Sequence, residues 1–273
     1  MVHEIFERWF AAGHVTFAFQ PIVALTAPHA VHAIEALTRG PRGTQFEDPS
    51  VFFEYLRQTG QEARADRRCI AGAIRAAASC TPHELPRISI NVHPSTLERD
   101  AELPSFLASL LEEERFDAER VVLEIIEESR PGNTRRLVAA VGELRKIGVA
   151  IALDDVGVGR CNLKTVVDVA PDILKIDRYF VDHSADDVTR RVILESVQRL
   201  AETIGAAVVA EGVEREQDAA LARSLGIDYA QGFLFARPRP LHEAIHRTHA
   251  IPMEADVCQH ARRSCSSTTR TPF

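Results

Sequence analysis

The sequence predicts an α/β fold of the (β/α)8 kind with an antiparallel first strand pair. Three observations carry this. Short, continuously apolar stretches alternate with amphipathic helical patterns, as in parallel sheets covered by helices. Most of the helical patterns stop at a glycine, the residue favoured just past a helix end. The first two strand candidates are joined by little more than "TAPHA", too short for a helical crossover, so they pair antiparallel. A doubly wound open sheet would show much the same alternation.

A leading helix is expected within residues 2–12. The strand candidates are Thr16–Val23, Val31–Leu37, Arg87–Val92, Val121–Ile126, Val149–Leu153, Ile173–Ile176, Ala206–Ala210 and Ile227–Ala230. Among the helical patterns, residues 51–79 carry Phe52, Phe53, Leu56, Ile70 and Ile74. Residues 134–147 place Leu137, Val138, Val141 and Leu144 on one face and end at Gly148. Residues 188–204 and 215–225 end likewise at Gly205 and Gly226. From Leu241 the pattern dissolves, and residues 241–273 read as a polar, Ser/Thr-rich flexible extension. The expected organisation is an N-terminal helix (1–13), a barrel (14–240) and that extension.

Composition bounds the function. The chain has 273 residues, 45% apolar and 26% charged, which suits a globular protein with a sizeable core. A net charge of −7 disfavours a grip on nucleic-acid polymer but not on a small phosphorylated ligand held through metal ions. Five cysteines, with no CxxC, read as reduced thiols of a cytoplasmic protein. No apolar run approaches the ~18 residues of a membrane span, and "MVHEIFERWF" has no signal-peptide core. His93, in "NVHPSTL", reads as a solvated or hydrogen-bonded loop histidine.

The candidate chemistry lies at the carboxyl ends of the strands, where α/β folds bind ligands. Glu35, Asn91, Glu124, Glu127, Asp154, Asp155, Glu211 and Gln231 all fall there, with one lysine, Lys175. Singly, each reads as a salt-bridge partner or turn residue. Together they form one acidic site, and crowded carboxylates must bind protons or cations. Carboxylates with an Asn carbonyl are hard oxygen donors suited to Mg²⁺ or Mn²⁺. Adjacent aspartates at a strand end can serve two metals, and a pair ~3.5–4 Å apart clamps the attacking and leaving oxygens of phosphoryl transfer.

These residues also stand in motifs. Glu35-Ala36-Leu37 is followed by Thr38-Arg39 and preceded by "FQPIV" (Phe19–Val23). Then come "NVHPSTL", "LEIIEES", "LDDVGVG", "PDILKID", "VVAEGVE" and "DYAQGFLFARP". From Phe17 to Pro240 the chain resembles the EAL family of cyclic di-GMP phosphodiesterases. The resemblance implies a TIM-like (β/α)8 barrel with an antiparallel first strand, and hydrolysis of cyclic di-GMP to linear pGpG. It implies two divalent cations, Mg²⁺ or Mn²⁺, gathered by Glu35, Asn91, Glu124, Asp154 and Asp155. Glu211 would complete the metal–water site and Lys175 would orient the water. Gln20, Leu37, Arg39 and Gln231 would touch the dinucleotide. Glu127 would steady the loop after Asp155, which in the family bears on dimerisation as well as catalysis.

The chain departs from the family in that loop, with Val156 for Phe, Arg160 for Tyr and Cys161-Asn162 for two serines. Val156 predicts weaker anchoring of the loop, and Arg160 would partly offset it by pairing with Glu127 or Glu128. The altered loop leaves a second reading, a catalytically quiet module that binds cyclic di-GMP or a protein partner. A third reading, a Schiff-base aldolase built on Lys175, explains the lysine and not the acids.

Overall fold

The computed structural model describes residues 6, 8–10, 13–26, 30–80, 86–126, 133–157 and 163–246. The strands are β1 (Thr16–Ala24), β2 (Val31–Arg39), β3 (Arg87–Val92), β4 (Val121–Ile125), β5 (Ala150–Val156), β6 (Ile173–Ile176), β7 (Ala207–Ala210) and β8 (Tyr229–Ala230). They close into a barrel in sequence order. β1 runs antiparallel to both neighbours, β2 and β8, and all other pairs are parallel. The open-sheet alternative is therefore excluded.

The helices are α1 (Pro49–Gln58), α2 (Glu62–Ala78), α3 (Pro94–Arg99), α4 (Leu103–Glu113), α5 (Thr134–Lys146), α6 (Leu163–Val169), α7 (Arg178–Val181), α8 (Val188–Ile204), α9 (Glu216–Ser224) and α10 (Leu241–His246). Of the expected leading helix, residues 6 and 8–10 are described, and they are helical. The single pattern expected over 51–79 is two helices. The break falls at Thr59–Gln61, where Gly60 takes φ +67, a left-handed conformation that glycine adopts without a Cβ penalty.

The extension expected from Leu241 needs correcting. Its first six residues form α10, whose Leu241 and Ala244 are buried in the main core. Six residues are too few to display helical periodicity in a sequence. Residues 247–273 lie outside the described residues. Among the described residues no helix is long and apolar enough to cross a membrane.

Strand alternation sorts the side chains. Ile88, Ile90 and Val92 of β3, with Val121, Leu123 and Ile125 of β4, join the large core between barrel and helices. The intervening positions point into the barrel. Low in its interior, Ile22, Ala33 and Val209 are buried, with Ile173 and Tyr229 against them. Ala33 and Ile173 precede Glu35 and Lys175 by two residues, whereas Ile22 follows Gln20 by two. That inversion is the signature of the reversed β1.

α2 is also tied to the top of β3. Asp66 is buried and accepts from the His93 amide at 3.0 Å and from Thr96 Oγ1 at 2.5 Å. His93 caps α3, its Nδ1 accepting from the Ser95 amide at 3.2 Å.

Candidate active site

The barrel mouth is organised around one ammonium. Lys175 on β6 is 1% exposed. Its Nζ lies 2.7 Å from Glu124 Oε2, 2.7 Å from Glu211 Oε1, 3.3 Å from Asp154 Oδ1 and 3.7 Å from Glu35 Oε2. These acids come from β4, the end of β7, β5 and β2, so four separate strands converge. Glu35 Oε1 accepts from Asn91 Nδ2 at 2.8 Å, and Oε2 accepts from Gln231 Nε2 at 2.7 Å. Gln231 Nε2 also lies 3.2 Å from Gln20 Oε1, and Gln20 Nε2 donates to the Ala236 carbonyl at 3.0 Å.

Neighbouring residues on a strand face opposite ways, so Asp154 and Asp155 should not share a site. Here the β5–β6 register shifts between Leu153 and Val156, and Asp155 takes φ +53. The bulge re-aims the second carboxylate, a recognised use of bulges beside sites. Left-handed backbone suits Asp and Asn better than most side chains. Carboxylate oxygens of Asp154, Asp155 and Glu211 consequently lie within 4.8 Å of one another.

Four carboxylates facing one ammonium leave a surplus of negative charge. Burial disfavours the charge on Lys175, but Asp154, Glu124, Glu211 and Glu35 outweigh it and hold its pKa well above the ordinary lysine value. Four carboxylates around the ammonium favour its charged form, whereas a Schiff-base nucleophile must be a free amine, which argues against the aldolase reading. Burial pushes Glu124 up to about 8 despite the attraction of Lys175. Burial also drives Glu211 well above the usual carboxylate range, again against Lys175. Burial acts the same way on Glu35, but Lys175 and the amides of Gln231 and Asn91 prevail and lower it. The cluster thus takes up protons, or a cation in their place.

The donor set fits a hard divalent cation. Asn91 Oδ1 is buried without a hydrogen-bond partner, and so is Asp154 Oδ1, although the ammonium faces it. Unpartnered buried oxygens beside clustered carboxylates suit Mg²⁺ or Mn²⁺, and among the described residues the grouped donors are carboxylates rather than thiols or imidazoles.

The family model of the EAL domain matches residues 3–238. The chain belongs to the EAL domain family. Among relatives, it is 32% identical over 194 residues to the probable cyclic di-GMP phosphodiesterase PdeA of Escherichia coli, covering 71% of this chain and 26% of that protein. It is 32% identical over 226 residues to the cyclic di-GMP phosphodiesterase NbdA of Pseudomonas aeruginosa, covering 82% of this chain and 29% of that protein. The chain thus spans less than a third of the length of either relative. Among solved structures, Klebsiella pneumoniae BlrP1 with calcium and cyclic di-GMP superposes with TM-score 0.74 at 29% identity, covering 83% of this chain and 56% of that one. The PaMucR phosphodiesterase in complex with c-di-GMP gives TM-score 0.77 at 25% identity, covering 89% and 98%.

In this EAL domain the structure gathers Glu35, Asn91, Glu124, Asp154, Asp155, Lys175, Glu211, Gln20 and Gln231 into one mouth. A cavity of about 240 Å³ opens beside them, lined by Gln20, Glu35, Glu211 and Gln231, with Arg178 and Phe233 at its edge. Leu37 and Arg39 lie on the Glu35 face of β2 by alternation, but they do not line that cavity, and Arg39 donates to the Thr38 carbonyl at 3.1 Å. Glu127 and loop residues 158–162 lie outside the described residues, as does the pairing expected of Arg160. Val156 is 5% exposed, packed in the main core and in register with Ile176.

Sequence reasoning missed two features. Arg178 pairs with Glu214 at 2.9 Å in the cavity lining; Glu214 closes the motif "VVAEGVE", Arg178 directly follows "PDILKID", and neither was singled out. Ser89 donates its hydroxyl to Glu124 Oε1. Its only signal was its place two residues before Asn91, on the same face of β3.

Proposed function

We propose that this EAL domain is a metal-dependent phosphodiesterase that hydrolyses cyclic di-GMP to linear pGpG. The observation that carries the reading is the buried Lys175 ammonium inside four carboxylates from four strands. A charge arrangement so costly to bury belongs to a reaction centre rather than a fold stabiliser. The names of the relatives and the nucleotide in the structural neighbours support the substrate.

In this proposal Glu35, Asn91, Glu124, Asp154 and Asp155 hold two cations, Mg²⁺ or Mn²⁺. When bound, such ions supply Lewis-acid stabilisation to the attacking and leaving oxygens. Lys175 holds the attacking water in line through its ammonium. Glu211, 2.7 Å from that ammonium, receives the water's proton as its carboxylate. Water adds across one P–O3′ bond, leaving the 5′-phosphate of pGpG and a free 3′-hydroxyl. Gln20, Leu37, Arg39 and Gln231 contact the dinucleotide. Glu127 steadies the loop after Asp155, through which two copies associate, and the enzyme acts in the cytoplasm.

The test is incubation with cyclic di-GMP and Mg²⁺ or Mn²⁺, followed by ion-exchange chromatography. The proposal expects pGpG, and none in excess EDTA. Tight nucleotide binding with no product under either metal would overturn it and assign a binding module instead.

A further inference from the structure

We propose that Ser89 is a positioning residue that pre-sets Glu124 for metal binding. This deepens the reading above and rests on Glu124 being a ligand. Among the described residues, the buried polar side chains on barrel strands are Gln20, Glu35, Thr38, Ser89, Glu124 and Lys175. Four of these belong to the site already described. Thr38 faces away from the mouth and hydrogen-bonds Cys69 of α2. Ser89 is the one left to explain.

Ser89 is 2% exposed. It shares the inward face of β3 with Asn91, while Ile88, Ile90 and Val92 pack outward. In register it lies beside Glu35 on β2 and Val122 on β4, two residues before Glu124. From there its hydroxyl reaches Glu124 Oε1, while Lys175 Nζ holds Oε2 at 2.7 Å. Each oxygen of Glu124 therefore has its own donor, from a different strand. The terminal torsion of a glutamate is otherwise broad, and these two donors fix the plane of the carboxylate.

An alanine would fill this position at lower desolvation cost, because a buried hydroxyl is costly unless bonded. What the hydroxyl adds is orientation of a group that must meet a cation. Partners of this kind behind a ligand are typically worth ~10–100-fold in metal affinity.

The experiment is calorimetric titration of Mn²⁺, without nucleotide, into the wild-type protein, Ser89→Ala and Ser89→Thr. Thermal melts in EDTA check the fold, and hydrolysis is measured in parallel across Mg²⁺ concentrations. The proposal expects Ser89→Ala to raise the Mn²⁺ Kd about tenfold or more, with its melt in EDTA unchanged. Ser89→Thr, which keeps the hydroxyl, should stay near wild type. A Ser89→Ala protein that binds Mn²⁺ like wild type overturns the inference, as does a Thr variant as weak as the Ala variant. Wild-type protein that binds Mn²⁺ but hydrolyses nothing would defeat the proposed function alone, and the comparison of Kd values would still decide the role of Ser89.

Discussion

Asp66 should make the fold less stable as pH rises, and Asp66→Asn should remove that group's share of the dependence. Burial pushes this carboxyl up to about 7, against the bonds from Thr96 and the His93 amide, and Glu62 adds to the rise. In the unfolded chain its pKa returns to about 3.9. Between these values the folded protein binds the proton and the unfolded chain does not. Stability from this group is therefore full below about pH 4 and lost as pH climbs through about 7. From pH 5 to pH 8 the loss spans two pH units below that pKa, which at ~1.36 kcal/mol per unit is about 2.7 kcal/mol. At a urea m-value of ~2–3 kcal/mol per M, the midpoint should fall by about 1 M. The assay is urea denaturation in EDTA at pH 5 and pH 8 for both proteins. Asn matches Asp in shape and still accepts from Thr96 and His93, so the difference between the two proteins isolates the proton. Midpoints that move in parallel would refute the reasoning.

Lys175→Met should lower kcat by ~10²-fold or more while shifting the nucleotide Kd less than about threefold, because positioning contacts act in the transition state. Steady-state kinetics beside equilibrium binding checks this, and a change confined to Kd would move Lys175 to substrate binding. Gly212→Ala should cost about 1–3 kcal/mol through forced backbone strain and overpacking. Gly212 sits at φ +62, and an added Cβ would lie 2.4 Å from Arg178 Cβ. The variant should melt several degrees lower and turn over more slowly, whereas a wild-type melt would show that Arg178 yields freely. Leu123→Ala, at a fully buried β4 position, should cost ~2–5 kcal/mol in denaturant. A loss under 1 kcal/mol would mean that the core collapses around the gap.

The barrel was legible because its signals are periodic and local. Apolar strands, amphipathic helices and the brief β1–β2 link can each be read within a short window. The acids were legible for a related reason, since each closes its own strand and the fold brings strand ends together. The missing items lack such signals. α10 is too short to show a period, and Gly60 looks like any helical glycine until its φ is known. The left-handed turn at Asp155 is a backbone property, so "LDD" could not reveal how both carboxylates reach one mouth. Ser89 reads as an ordinary residue of an alternating strand. Its partner, Glu124, is 35 residues away.

The reversed β1 also decides when the site comes into being. β1 meets β8 through Val23 with Ala230 and Ala24 with Tyr229, extended by a bond from the Leu25 amide to the Asp228 carbonyl and a bridge from Phe19 to Arg239. This seam joins segments more than 200 residues apart, the longest loop the chain must close and the kind of pairing that slows folding. The bonds from Gln231 to Gln20 and Glu35, and from Gln20 to Ala236, all cross the same line. A chain folded as far as β7 would hold Lys175 among its acids but lack Gln231 and its bonds to Gln20 and Glu35. Under the proposed function, competence to bind would arrive with the last zip of the barrel, and a nucleotide contacting Gln20 and Gln231 would act as its clasp.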